Sequence, residues 1–242
     1  MREIEMRTYR SNAIAAGVLF ILCSVAAIMS IVPLGAQVVA PVDFARLAAN
    51  ADRVVWTALI EFVWIASGMG IAIAMYPALR KSHPALALGS VIGRVVENAF
   101  ILIATLCLVA LLSVSQQTVA AGSAGMASAM EASTLLLTVR EWSVQFIAGI
   151  AFAVGSVLYN YVLYRSRLVP RWLSGWGLFA VVCALIATLY AGLTQNFGFT
   201  TVNNLLHIPI GLQEMALAIW LIVKGFSTPS PVSAVSRDAH AA

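Results

Sequence analysis

Charge is what this chain has least of. Of its 242 residues only 10% are Asp, Glu, Lys or Arg, against about a quarter in a soluble domain. Hydrophobic residues make up 61% and the mean hydropathy is +0.93. A water-soluble fold of this size has too little interior for that apolar surplus. A soluble enzyme, a nucleic-acid-binding domain and a disordered scaffold are therefore excluded. Cysteine is nearly as sparse: Cys23, Cys107 and Cys183 stand far apart in apolar stretches, without a CxxC pair. They read as small buried hydrophobes, not as a redox centre or structural zinc site. HExxH is missing, as is a glycine-rich nucleotide loop in a soluble segment. A bis-histidine haem lacks its second ligand, because His207 alone lies at membrane depth. Lys224 is too near the end of its span for a retinal Schiff base.

What the chain does have is long apolar runs. Six segments satisfy the ~20 apolar residues that a bilayer-crossing helix needs, over about 12–34, 54–79, 85–114, 140–164, 172–193 and 205–226. The first has an apolar core longer than the ~7–15 residues of a signal peptide, so it reads as a retained span. Basic residues alternate with the spans. Arg2, Arg7, Arg10, Arg80, Lys81, Arg165, Arg167, Arg171, Lys224 and Arg237 fall on one side, and Arg46, Arg53 and Arg140 on the other. The positive-inside rule then predicts cytoplasmic termini, with the basic excess serving as a topology signal. The expected class is all-α: a polytopic membrane helical bundle of six transmembrane helices in one domain, 1–226. Residues 227–242 are expected to form a disordered cytoplasmic tail.

The cytoplasmic hairpins are tight, with Pro84 and Pro170 placed where the next helix starts. The outer connections are longer. Within 36–52, Phe44, Leu47, Ala48 and Ala51 recur at helical spacing, which predicts a short amphipathic helix at the interface. Residues 116–138, rich in Ala, Ser and Gly, read as a connector.

Ionisable groups inside spans cost about 2.5–3.5 kcal/mol each and face the bundle interior by default. Glu61, Arg94, Glu97 and Glu214 are so placed, with Glu141 beside Arg140 near the outer end of span 4. At about 1.5 Å per residue, Glu61 lies ~12 Å below Arg53, Glu97 ~20 Å above Pro84 and Glu214 ~15 Å from Lys224. The acids thus fall between midplane and outer leaflet, which predicts that the four converge there, supported by Gln145 and His207. In span 3, Gly89, Gly93 and Glu97 recur every four residues, a small-xxx-small pattern for close helix approach. In span 4, Glu141, Gln145, Gly149, Phe152, Ser156 and Tyr159 form a stripe, and in span 2 Thr57, Glu61, Trp64 and Gly68 share a face. Pairing of Arg94 with Glu97, and of Glu141 with Arg140, would leave Glu61 and Glu214 over. One arginine against three carboxylates predicts an interior excess of two negative charges, balanced by protons or a cation.

The candidate site is Glu61, Glu214 and Glu97 as acids or proton carriers. Arg94, Asn98, Glu141, Gln145, His207, Trp64 and Tyr159 are the binding groups. Ligand spacing is not diagnostic of a metal, so no metal site and no cofactor is assigned. The leading reading is a small-solute, ion or proton-coupled transport or binding protein. The alternative is a membrane-embedded enzyme whose buried protonated Glu61 or Glu214 is a general acid on a lipid-like or isoprenoid substrate. A third reading is a non-catalytic assembly or sensing subunit. The partners these readings admit are the bilayer, a lipid-like or small-molecule ligand, and a second copy of the chain.

The pattern also resembles a known family. Ala-Ala-Gly-Val-Leu-Phe in span 1, Asp43 to Asn50 in the outer stretch, and Glu61 carry the resemblance. So do Tyr76-Pro77-Ala78-Leu79-Arg80, the Ala-Leu-Ala-Leu-Gly run at 85–89, and Arg94 with Glu97. Leu163-Tyr164, Pro170 to Gly177 and Gln213-Glu214 complete it. Together they are similar to the bacterial membrane-protein family called domain of unknown function 4386, over about residues 10–226. The resemblance implies a polytopic protein of the bacterial cytoplasmic membrane and implies no activity or cofactor.

Overall fold

The computed structural model describes residues 2–30, 41–122, 125–198 and 200–227, with side chains from Tyr9 onward. Regular structure there is helical throughout: α1 Arg2–Met29, α2 Phe44–Ala49, α3 Ala51–Leu79, α4 Pro84–Ala121, α5 Met126–Glu141, α6 Gly149–Ser166, α7 Arg171–Thr194 and α8 Thr201–Val223. Trp142–Ala148 is a π-helical segment that joins α5 to α6 without a break. Six helices are long and apolar enough to cross a membrane, the fourth being the continuous stretch Met126–Ser166.

Local chemistry sets the ends. Asp43 caps α2 by accepting from Arg46 N at 3.0 Å, and Thr200 caps α8 by accepting from Asn203 N at 3.2 Å. Pro84 opens α4, where its missing N–H costs nothing. Arg167 and Gln195 close α6 and α7 in left-handed conformations, with φ of 57° and 53°.

Neighbouring helices pack in the order α1, α3, α4, α6, α7, α8, and α8 closes the ring by packing on α1. Glycine permits the closest contacts. A Cβ on Gly93 would stand 2.7 Å from Gly155 Cα, so α4 and α6 touch backbone to backbone. A Cβ on Gly17 would stand 2.6 Å from Ala218 O, which seats α1 on α8. The main apolar core, including Phe20, Met75, Leu79, Leu163, Leu173 and Leu221, fills the ring towards the basic end. Large apolar side chains such as Ile73, Phe179 and Leu205 point outward, as a lipid solvent requires. At the basic end Arg10 donates to Leu221 O, Ile222 O and Val223 O at 3.4, 2.7 and 3.2 Å, tying the first helix to the last carbonyls of α8.

The expected amphipathic helix is α2, with Phe44 and Leu47 buried. The connector expected over 116–138 is instead mostly helical. Alanine-rich sequence continues α4 to Ala121 and starts α5 at Met126, because alanine is the best helix former and the breakers are confined to Gly122 and Gly125. The expected end of span 1 at residue 34 and the tail from 228 lie outside the described residues.

Candidate functional site

Two ion clusters occupy the interior. The first is built on Arg94. Its Nη1 donates to both oxygens of Glu97 at 3.2 Å, an i,i+3 pair along α4, and its Nη2 donates to Glu214 Oε1 of α8 at 3.2 Å. Arg94 and Glu97 are 3% and 5% exposed, and the Glu214 side chain 15%. The Gly93–Gly155 contact brings α6 close enough for the Phe152 ring to lie under the guanidinium, 4.9 Å from Cζ to centroid. One guanidinium therefore serves two carboxylates from helices on opposite sides of the ring.

The groups around this cluster are incompletely satisfied. Tyr159, Ser156 and Asn160 form a buried polar group of their own on α6, while Arg94 Nε, Asn98 Oδ1 and Gln213 Oε1 are buried without a hydrogen-bond partner among the described residues. Each such group costs about 1–3 kcal/mol of lost hydration. The two asparagines repeat one arrangement. Asn98 donates to Arg94 O at 2.7 Å and its head faces Gly68 of α3; Asn160 donates to Ser156 O at 3.0 Å and faces Gly177 of α7. Trp64 lies alongside, its carbonyl accepting from Ser67 at 2.9 Å, with Cys23 Sγ at 3.9 Å.

The second cluster joins α3, α4 and α5. Glu61, 3% exposed, takes both Nη groups of Arg140, one of them to Oε2 at 3.3 Å. Thr105 Oγ1 donates to Glu61 Oε2 at 2.6 Å, and Arg140 Nη1 also donates to Ala104 O at 2.6 Å. Both oxygens of Glu61 and both Nη groups of Arg140 thus have partners. Thr105 lies two turns beyond Glu97 on α4, about 12 Å along the axis. Glu61 thus belongs to a separate site, and the expected convergence of four charges resolves into two groups.

Other expectations change with it. Arg140 turns inward to Glu61 and not to Glu141, which is exposed and has no ion pair among the described residues. With Arg140 inside, two arginines face three carboxylates, so the interior excess is one negative charge where two were expected. That excess falls on the Arg94 cluster. Gln145 and His207 do not support it. Gln145 Oε1 accepts from Gly198 N at 2.7 Å, and exposed His207 pairs through Nδ1 with Asn203 O of its own helix at 2.8 Å. The span 4 stripe breaks for a geometric reason. The π segment Trp142–Ala148 has wider turns, so residues before it and after it no longer share one α-helical register. Phe152, Ser156 and Tyr159 stay inside while Glu141 swings out. Thr105 and Asn160 lacked any signal in the sequence beyond their polarity within a span.

A ring of six apolar helices with charges confined to its interior is the architecture of a polytopic membrane protein. Residues 15–225 match the family described as domain of unknown function (DUF4386), and the chain belongs to that family. No curated protein and no solved structure matches the chain.

Proposed function

We propose that the protein is a proton-coupled transport protein for a small solute, with Glu97 and Glu214 exchanging a proton over Arg94. The observation that carries this reading is the sharing of one guanidinium by two carboxylates from opposite helices. Arginine stays charged in any such setting. With both acids ionised the cluster bears one negative charge in a low-dielectric interior, which favours uptake of a proton or small cation. A proton on Glu214 removes the charge that binds α8 to Arg94 and leaves the Glu97 pair intact. Protonation is thereby coupled to the separation of opposite walls of the ring, which is what alternating access needs. The buried Arg94 Nε and Asn98 Oδ1, which have no partner among the described residues, offer hydrogen bonds to a polar solute or to water.

Arg140 and Thr105 occupy both oxygens of Glu61, which in the enzymatic alternative leaves Glu214 as the general acid. The basic end, with Arg80, Arg165, Arg167 and Arg171, supports cytoplasmic termini in a bacterial inner membrane. The test is proton uptake into liposomes holding purified protein and a pH-sensitive dye, with and without an external panel of amino acids, sugars and carboxylic acids. Uptake that depends on a solute of the panel, and is lost in Glu214→Gln, is the expected result. Uptake equal to that of protein-free liposomes with every solute, or unchanged in Glu214→Gln, contradicts the reading.

A further inference from the structure

The turn between α6 and α7 carries a second, unrelated feature on the outer rim of the ring. Arg165, Arg167 and Arg171 are all exposed there, and no carboxylate with a described side chain lies at that end of the bundle. Arg10, Arg94 and Arg140 each donate to carbonyls or carboxylates. No ion pair or hydrogen bond within the described residues engages Arg165 or Arg167. Arg171 is oriented: its Cζ stands 5.3 Å from the Tyr164 ring centroid, and that ring lies 3.8 Å from where a Cβ on Gly175 of α7 would stand. The planar guanidinium is thus held at the boundary between the apolar belt and the basic end. Beside it Trp172 is 61% exposed, as the aromatic girdle of a membrane interface requires.

From this corner an apolar track runs the length of α7. Trp172, Phe179, Ile186 and Leu193 recur every seven residues and are all strongly exposed. Seven residues are nearly two helical turns, so the four lie on one slowly drifting stripe. A cationic head and a long apolar stripe together fit an amphiphile. Soluble anions match only the first part.

We propose that the α6–α7 corner binds an anionic phospholipid, with Arg165, Arg167 and Arg171 holding the headgroup phosphate and the near half of the stripe, Trp172 and Phe179, taking an acyl chain within one leaflet. Arginine suits the phosphate because its fork can make two parallel hydrogen bonds.

Native mass spectrometry of the full chain in detergent, titrated with phosphatidylglycerol and with phosphatidylcholine of the same acyl chains, tests this. Wild-type protein is expected to retain phosphatidylglycerol preferentially. Arg171→Gln is expected to weaken that retention about five-fold, the size of one basic contact at an anionic surface. Arg46→Gln, at the other end of the bundle, leaves it unchanged, and excess glycerol phosphate does not displace the lipid. Tyr164→Leu keeps every charge but frees Arg171, so a partial loss there reports positioning. Should Arg171→Gln fail to fold, Arg165→Gln with Arg167→Gln reads the same preference. Equal retention of both lipids, no change in the arginine variants, an equal loss in Arg46→Gln, or displacement by glycerol phosphate would each overturn the proposal.

Discussion

Arg94 Nη2 lies 3.2 Å from Glu214 Oε1, and this contact joins α4 to α8 across the inside of the ring. The two helices are not neighbours: α4 packs on α3, α5 and α6, and α8 on α7 and α1. Apolar packing holds each helix to the next, and an ionic bridge holds opposite walls together. The bridge is unequal, because Arg94 also serves Glu97 on its own helix.

That inequality predicts an order of damage. Arg94→Gln leaves two carboxylates without a cation, and breaking a buried pair from one side costs about 3–5 kcal/mol. Glu214→Gln and Glu97→Gln each leave Arg94 one acidic partner and remove the charge excess. Both are expected to destabilise far less than Arg94→Gln in reversible unfolding from detergent micelles. Equal losses in all three variants would argue against a shared guanidinium.

The two ion clusters are expected to be energetically independent. Glu61→Gln and Arg140→Gln should couple in a double-mutant cycle by about 1–3 kcal/mol, since the two side chains hydrogen-bond each other directly. Glu61→Gln with Glu214→Gln should add to within about 0.5 kcal/mol, as sites without common partners do. Coupling of Glu61 to Glu214 as strong as to Arg140 would restore a single four-charge site.

Glycines divide by what a methyl group would meet. Gly93→Ala places a Cβ 2.7 Å from Gly155 Cα, so α4 and α6 must part, at a cost of about 1–3 kcal/mol. Gly211 on α8 has nothing within 4 Å of a Cβ. There Gly211→Ala should be neutral or stabilising by up to ~1 kcal/mol through helix propensity alone. Thermal unfolding of the two variants side by side checks the difference in sign.

The π segment predicts an unusual tolerance. A π turn takes one more residue than an α turn, so deleting Val144 should convert Trp142–Ala148 to α-helix and leave the protein folded, destabilised by about 3–5 kcal/mol through the lost partner of Glu61. The deletion turns α5 relative to α6 and carries Arg140 away from Glu61. On that background Arg140→Gln should lose most of its effect on stability. Deleting Val154, within regular α6, has no surplus turn to absorb it and should abolish folding, as size-exclusion chromatography would show.

The spans were legible because a bilayer selects for long apolar runs, and hydropathy reports that choice directly. The interior charges were legible for a related reason: Arg94, Glu97, Glu214 and Glu61 stand out against apolar neighbours. Their pairing was not. Arg140 and Glu61 are 79 residues apart, and which of them meets which partner depends on how helices are rotated about their axes. Periodicity predicts that rotation only while the helix stays α. Across the π segment an α-helical pitch no longer relates Glu141 and Gln145 to the rest of the stripe, so periodicity does not reveal the inward turn of Arg140. The Arg94–Glu97 pair, three residues apart on one α-helix, involved no such extrapolation.

Infrared difference spectroscopy across a pH jump reads whether the Arg94 cluster holds the exchangeable proton. A carboxyl C=O band is expected that titrates in the wild type, disappears in both Glu97→Gln and Glu214→Gln, and persists in Glu61→Gln. A band that persists in Glu97→Gln and Glu214→Gln, or that disappears in Glu61→Gln, would contradict it.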